Sequence, residues 1–493
     1  MNLLQSIPED SRLGDGRRML GRAALHREIA VWVQLLQPAR GTCVALLADN
    51  SPAWVICDLA LQQLPAVALP LPPFFTPAQI GHALSDAGCR FVIIDRGRKK
   101  ALQAAGFAVA GEHDGLCVLR QSTDSAGQRW LPGTGKITYT SGTTAAPKGV
   151  CLSNDVLIRL AGTLATALGE LRLRRHMSVL PYATLLENVA GAYTALLAGS
   201  ELLCPTLAEV GFSGDAGLDP HQLCHQLNLM RPESLILVPE LLKALIVMRE
   251  QGASLPRSLR FVAVGGGRLG PGMIERARAV GIPAYEGYGL SECGSVVSLN
   301  LPGADRPGSV GRPLPHVTCR VDDRGELRVT GSAMLGYVGG VCPGPDIATG
   351  DQACLDSEGF LKVQGRLKNQ FITSFGRNVN PEWPESRLLQ HPGIFQAAVF
   401  GEAMPCNVAV IVPAAGVPPV EIDRLVEAAN ADLPTYARIH RWLLADAPFS
   451  VANSLATANG RPRRNAIEQV YFGRIQAAAV SESTTDLNYG VSS

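Results

Sequence analysis

Residues Lys136 to Asn154 read KITYTSGTTAAPKGVCLSN. Ile137 to Tyr139 has the make-up of a short apolar strand. It runs into Thr140, Ser141, Gly142, Thr143 and Thr144, and then into Pro147, Lys148 and Gly149. Hydroxyls and glycines packed this closely offer N–H and O–H donors with little steric bulk, which suits phosphate oxygens. Lys148 adds a point charge. The spacing is not the Walker pattern, because Lys148 is followed by Gly149 where that motif has Ser or Thr. On the residues alone, an ordinary Ser/Thr-rich turn competes with a phosphate-binding loop.

The flanking sequence gives the strand its setting. Upstream, Arg17 to Leu36 shows apolar residues at helical spacing, and Thr42 to Asn50 (TCVALLADN) reads as a buried strand. Helical Ala53 to Leu64, the Pro-rich break Leu69 to Pro77, helical Pro77 to Ala87 and the strand Arg90 to Asp95 follow. Downstream, strand Ser234 to Pro239, helix Glu240 to Gln251, strand Leu259 to Val264 and helix Gly272 to Val280 repeat the alternation. Strands alternating with helices predict an α/β fold with substantially parallel sheets. From Val317 to Gly331 the period shortens around Asp322-Asp323-Arg324-Gly325, a hairpin signature that predicts an antiparallel subdomain. After Arg366 a new mixed segment of about 110 residues begins and ends in a polar tail, Ser481 to Ser493. The expected division is 1–367, a small α+β unit at 368–480, and the tail at 481–493.

Composition narrows the function classes. The chain has 493 residues, 46% of them hydrophobic, so it can fill sizeable cores. Lys and Arg total 44 and Asp and Glu 43, a net charge of +1 that argues against a nucleic-acid binder. None of the twelve cysteines forms a CxxC pair, so a zinc ribbon is not expected. Scattered in this way, they read as small buried hydrophobes of a reducing compartment. No apolar run approaches the roughly 20 residues of a membrane span, and no signal-peptide core is present. A soluble, cytoplasmic protein is expected.

Several motifs now fall into one order. Thr140 to Gly149 (TSGTTAAPKG) resembles the phosphate loop of the adenylate-forming (ANL) superfamily, which holds acyl-CoA synthetases, luciferases and peptide-synthetase adenylation domains. Tyr288 to Glu292 (YGLSE) resembles that family's YGxTE motif, with Ser291 in place of Thr. Thr349 to Asp351 (TGD), Gly365 to Lys368 (GRLK) with Phe375 to Trp383 (FGRNVNPEW), and Asn459 to Arg464 (NGRPRR) resemble its TGD, hinge and terminal motifs. The matches cover residues 136 to 464 in the family's order.

The resemblance implies a two-step reaction. A carboxylate attacks the α-phosphorus of ATP, giving acyl-adenylate and pyrophosphate, and a thiol, usually of CoA, then displaces AMP. Joining two anions calls for positive charge and a metal. By resemblance, Thr140, Ser141, Gly142, Thr143, Thr144 and Lys148 would hold the β- and γ-phosphates. Glu292, with Thr144, would serve Mg²⁺. Tyr288, between Gly287 and Gly289 and followed by Ser291, would stack on adenine, with Gly266 and Gly267 on the adenine side. Asp351 and Arg366 would bind the ribose. Lys368 would sit at the hinge, and Gly376, with Ser374 and Arg377, on a loop lining the thiol tunnel. Arg461 stands where the family has Lys. It keeps the cation in a planar, bulkier form, either doing the same work or leaving adenylation impaired. Taken singly, these residues also suit solvated carboxylates, turn positions and a solvated basic cluster.

Two other motifs compete. Gly265 to Gly270 (GGGRLG) satisfies GxGxxG after a strand, with Glu286 about twenty residues on, the dinucleotide fingerprint. Pro271 and the mid-chain position weigh against it. His221 to His225 (HQLCH) could offer zinc two imidazoles, although an exposed helix face explains it better. Leu180 to Gly199 (LPYATLLENVAGAYTALLAG) resembles the family's substrate-channel segment and also suits a packed core helix. The stretch Phe371 to Trp383 looks most like long-chain acyl-CoA synthetases. The expected protein is therefore an AMP-forming acid–thiol ligase using ATP, Mg²⁺ and CoA, or a carrier-protein phosphopantetheine, on a medium- or long-chain fatty acid. The alternatives are delivery to an acyl carrier protein or another acceptor, and an impaired nucleotide or acyl binder.

Overall fold

The computed structural model describes residues 3–72, 75–121, 129–140, 148–213, 217–270, 272–375, 377–457 and 460–480. Among the described residues, two large mixed sheets form the bulk of the chain. The first, eight-stranded, has a parallel centre: Cys43–Leu47 lies between Val67–Pro70 and Phe91–Asp95. Lys136–Thr140 joins parallel to Val67–Pro70 and antiparallel to Lys148–Leu152. The second, nine-stranded, runs parallel through Arg175–Met177, Ser234–Leu237, Phe261–Val264 and Ala284–Leu290. Cys43–Leu47, Val67–Pro70 and Ser234–Leu237 are buried at every residue, as parallel strands covered on both faces must be.

Local chemistry sets the helix starts. Ser51 accepts from the Trp54 N–H at 3.1 Å with Pro52 at the first turn, and Ser153 caps Asn154–Ala167 in the same way. Thr76 and Gln79 form a reciprocal capping box before Pro77–Asp86. The expected helix over Arg17 to Leu36 begins later. Arg12–Gly14 and Met19–Gly21 form an antiparallel hairpin, and the helix spans Arg22–Leu35. The Asp15 carboxylate accepts from the Arg17 and Arg18 N–H groups at 2.8 and 2.9 Å and turns the chain there. A Cβ on Gly14 would lie 2.0 Å from the Arg18 carbonyl oxygen, so the hairpin closes only around glycine.

The expected hairpin is present. Thr318–Val321 pairs antiparallel with Glu326–Thr330, and Ile347–Leu355 and Leu361–Arg366 complete a four-stranded antiparallel sheet. Residues beyond it build a three-stranded sheet of Ile394–Phe400, Asn407–Pro413 and Ile439–Leu444, packed by Arg464–Val480. The architecture is thus α/β with an antiparallel sheet and a smaller α+β part, as the sequence predicts. Among the described residues the hydrophobic cores divide: three clusters draw only on residues up to Val363, and two only on residues from Phe371 onward. No helix among the described residues is long and apolar enough to cross a membrane. Eight of the twelve cysteines are buried, while Cys342 and Cys354 are exposed, so the reading of cysteine as a small buried hydrophobe holds for most of them.

One polar cluster ties the strand before the phosphate-type loop to the helix beyond it. Lys136 is fully buried, with its ammonium 2.8 Å from Asp58 Oδ1 and 3.0 Å from Tyr193 Oη, and it also donates to Asn188. Tyr193 and Asn188 in turn donate to Asp58 at 2.5 and 2.9 Å. Burial lowers the proton affinity of Lys136, and the Asp58 charge opposes that. Removing one partner strands the other charge. Lys136→Ala is therefore expected to cost about 3–5 kcal/mol in chemical unfolding, with Lys136→Met/Asp58→Leu recovering most of the loss. An unchanged midpoint for Lys136→Ala would contradict this assignment.

Candidate active site

A cavity of about 2660 Å³ lies where the second large sheet, the antiparallel sheet and the smaller part meet. Strand Ala284–Leu290 enters it and turns at Ser291–Cys293 into Ser295–Leu299. The pair is bulged between Tyr288 and Gly289. A Cβ on Gly289 would sit 1.8 Å from the Ser295 carbonyl oxygen, so glycine is required for this crossing. Glu286, half-buried on the same strand, has its carboxyl pushed up to about 8 by burial, with Arg268 pulling the other way.

Tyr288, Asp351 and Arg366 converge. The Tyr288 hydroxyl donates to Asp351 Oδ2 at 2.5 Å, and Arg366 Nε lies 2.9 Å from Asp351 Oδ1. Asp351 and Arg366 are direct cross-strand neighbours. Arg366 also donates to the Thr349 carbonyl at 2.7 Å. Burial raises the Asp351 carboxyl above its ordinary range, opposed first by Arg366 and then by Tyr288. Both oxygens of the Asp351 carboxylate are thus engaged within the site, Oδ2 by the Tyr288 hydroxyl and Oδ1 by Arg366.

Glu292 lines the cavity and accepts from the Tyr337 hydroxyl at 2.9 Å. The Lys148 ammonium lies 5.4 Å from the Tyr337 ring centroid, within cation–π range. Thr140 ends its strand, and its side chain, together with Ser141, Gly142, Thr143, Thr144 and Pro147, lies outside the described residues. Gly376 and Asn459 also lie outside them. A single carboxylate beside a lysine fits Mg²⁺, which keeps waters and phosphate oxygens as its other ligands. Among the described residues no group of three or more His, Cys, Asp or Glu side chains is placed to hold a metal by itself.

Arg461 reaches across from the smaller part and donates to the Gly266 carbonyl. Lost hydration, then Arg366, lower its proton affinity, while Glu240, Asp351 and Glu382 support its charge. Lys368, in the short turn Leu367–Asn369, is lowered by burial and then by Arg366 and Lys148. The neighbouring basic residues are employed otherwise: Arg464 pairs with Glu385 at 2.6 Å and Arg463 donates to the Ser454 carbonyl at 3.3 Å. The site thus gathers Lys148, Arg366, Lys368 and Arg461, whose mutual repulsion a polyanion would relieve.

Several residues of the site carry no signal in the sequence. Tyr337 belongs to a two-residue edge strand with no motif of its own. Glu240 opens a helix behind Pro239 and faces Arg461. Gly265 to Gly270 does not make a dinucleotide turn. The helix that follows starts at Met273, a Cβ on Gly270 would meet the Ser386 carbonyl oxygen at 2.9 Å, and the Gly266 carbonyl is taken by Arg461. His221 and His225 are exposed on Pro220–Met230 while Cys224 is buried, so the three do not converge.

The segment Leu180 to Gly199 lines the cavity, and Leu186–Tyr193 within it is a π-helix rather than an α-helix. π-helical turns recur at functional sites. The stretch is part core and part cavity wall: Glu187, Asn188, Val189 and Tyr193 are buried, while Leu185, Leu186 and Ala190 line the cavity.

A family model described as AMP-binding enzyme matches residues 23–342, and one described as AMP-binding enzyme C-terminal domain matches residues 368–482. Among curated proteins, the chain is 27% identical over 442 residues to the long-chain-fatty-acid–CoA ligase FadD15 of Mycobacterium bovis, covering 74% of this chain and 72% of the relative. It is 29% identical over 425 residues to the 2-succinylbenzoate–CoA ligase of Geobacillus kaustophilus, covering 80% and 82%. It is 27% identical over 444 residues to a feruloyl-CoA synthase of an Amycolatopsis species, covering 83% and 87%. Among solved structures, o-succinylbenzoate CoA synthetase of Bacillus subtilis with its acyl-adenylate OSB-AMP superposes with a TM-score of 0.77 at 22% identity, covering 95% of this chain and 98% of that one. The anthranilate CoA ligase AuaEII with anthranoyl-AMP gives 0.79 at 19% identity, covering 98% of each. These two likenesses establish the shared fold. With the family model spanning most of the chain over a cavity built from the matching motifs, the chain belongs to the AMP-binding enzyme family and is an adenylate-forming ligase.

Proposed function

We propose that the protein activates a medium- or long-chain fatty acid as its acyl-adenylate and transfers the acyl group to CoA. The observation that carries the acid class is the apolar groove beneath the π-helix. Ile236, Val238, Phe261 and Ala263 line it on the sheet side and Leu186, Ala190 and Ala195 on the helix side. Such a groove accepts methylene chains through burial of apolar surface, at about 0.8 kcal/mol per CH₂. The CoA ligases among the relatives support the thiol.

In this reading the Thr140–Lys148 loop and Lys148 hold the outer phosphates. Asp351 and Arg366 take the ribose hydroxyls, and Tyr288 fixes Asp351 while its ring faces the adenine. Glu292 would hold Mg²⁺, which offsets charge on the phosphate oxygens. Arg461 brings its guanidinium to the rim at Gly266, between carboxylate and ribose. The acid's carboxylate oxygen forms the new bond to the α-phosphorus, and the bond to the bridging oxygen of pyrophosphate breaks. The thiolate sulfur then attacks the acyl carbon and AMP leaves with the bonding pair. Residues 1–367 would carry the nucleotide and acid. Residues 368–480 would turn about Lys368 between the two steps, bringing Ser374 and Arg377 toward the thiol.

Pyrophosphate release measured across a panel of acids tests the acid class. Straight-chain fatty acids are expected to exceed benzoate, cinnamate and 2-succinylbenzoate by at least about tenfold in kcat/KM. Turnover of the aromatic acids with fatty acids left untouched would sink this assignment and keep the ligase.

A further inference from the structure

The groove follows two parallel strands. Ser234, Ile236 and Val238 alternate along one and Phe261, Ala263 and Gly265 along the next, with Ser234 beside Phe261 and Ile236 beside Ala263. All six line the cavity. At about 3.3 Å per residue, Ser234 lies about 13 Å from Val238, whose end of the groove meets Gly266 and Arg461.

An apolar groove has no need of polar side chains at that depth, yet three are there. His176 is the strand partner of Ser234, and both line the cavity while more than nine-tenths buried. Ser234 Oγ is 3.0 Å from His176 Nδ1, and His176 Nε2 is 3.2 Å from Glu187 Oε1. Glu187, on the π-helix, is fully buried, and its other oxygen accepts from the Leu180 and Val179 N–H groups at 3.0 and 3.3 Å. With Glu187 as acceptor, the neutral tautomer of His176 carries its hydrogen on Nε2 and offers Nδ1 as an acceptor. The Ser234 hydroxyl then donates to Nδ1, and its oxygen keeps lone pairs to accept with. Gly191 leaves room for this relay: a Cβ there would sit 2.4 Å from Glu187 Oε1 and 3.0 Å from His176 Nε2.

Resting on the reading of the groove as a fatty-acid site, we propose that Ser234, oriented by His176 and Glu187, is a distal specificity subsite for a hydroxylated fatty acid. The acid's hydroxyl donates to Ser234 Oγ about 13 Å from the carboxyl end of the groove. A second carboxylate fits poorly, because it has no hydrogen to give and lies toward the Glu187 carboxylate.

The test is pyrophosphate release by the full-length protein. The acids are straight-chain fatty acids, their monohydroxy derivatives with the hydroxyl walked along the chain, and the matching dicarboxylic acids. The wild type is expected to favour one distal hydroxyl position over the unsubstituted parent by about tenfold in kcat/KM. Ser234→Ala is expected to bring that ratio to about one, and Ser234→Thr to restore it. Equal turnover of parent and hydroxy acids at every position overturns the subsite and leaves the fatty-acid reading standing. A preference for the dicarboxylic acids overturns the assignment of a neutral group. No release with any acid of the series overturns the fatty-acid reading itself.

Discussion

Arg461→Ala is expected to slow acyl-adenylate formation by about a hundred- to a thousandfold, the usual loss for one positioned donor to developing charge. Arg461 reaches the Gly266 rim among Arg366, Asp351 and Glu240, and the two neighbouring arginines are tied to Glu385 and the Ser454 carbonyl, so neither can replace it. The loss should fall on the first half-reaction. Pyrophosphate release should drop, while thioester formation from supplied acyl-adenylate and CoA should stay within a few-fold, since the proposed role of Arg461 lies in the first step alone. Equal losses in both halves would show a structural defect instead. Arg461→Lys separates the working cation from an impaired one. A fall of about tenfold is expected, because lysine loses the planar fork that spans the carbonyl and the ligand. A rise above wild type would mark this chain as an attenuated adenylate former.

Glu292→Ala is expected to reduce Mg²⁺-dependent pyrophosphate release about a thousandfold, with the unfolding midpoint near wild type. A carboxylate that positions the metal on the triphosphate contributes several kcal/mol to the transition state, and about 1.4 kcal/mol corresponds to each tenfold. Tyr337→Phe removes only the hydroxyl that orients Glu292 at 2.9 Å, so it should raise the Mg²⁺ concentration needed for half-maximal rate with a smaller fall in kcat. A Mg²⁺ titration of both variants measures this. Near wild-type activity for Glu292→Ala would remove the residue from the metal role.

The parts legible in the sequence are those with a local rule. The strand–helix alternation, the capped starts at Ser51, Thr76 and Ser153, and the hairpin around Asp322 all follow from nearby residues. The motifs that carry Tyr288, Glu292, Asp351 and Arg366 are local as well, and the fold brings these residues into one cavity. What escaped depends on long-range pairing. The early hairpin takes its place only because Arg12–Gly14 pairs with Glu201–Leu203, far along the chain. Tyr337 meets Glu292 through an edge strand added to Lys148–Leu152. Lys136 looks like an ordinary strand-end lysine until Asp58, Asn188 and Tyr193 close around it. The π-helical winding of Leu186–Tyr193 left no mark in the apolar periodicity.

The division of the hydrophobic cores has an energetic corollary for turnover. No apolar cluster among the described residues draws on both sides of Lys368. The junction includes polar ties: Lys243 to the Ile394 carbonyl and Arg461 to the Gly266 carbonyl. In the proposed turn of the smaller part, water can substitute for each of these, and no apolar seam among the described residues would have to be torn open and resealed. The proposed turn between half-reactions would then exchange hydrogen-bond partners, a cost that salt and pH can tune and that cooling does little to weaken.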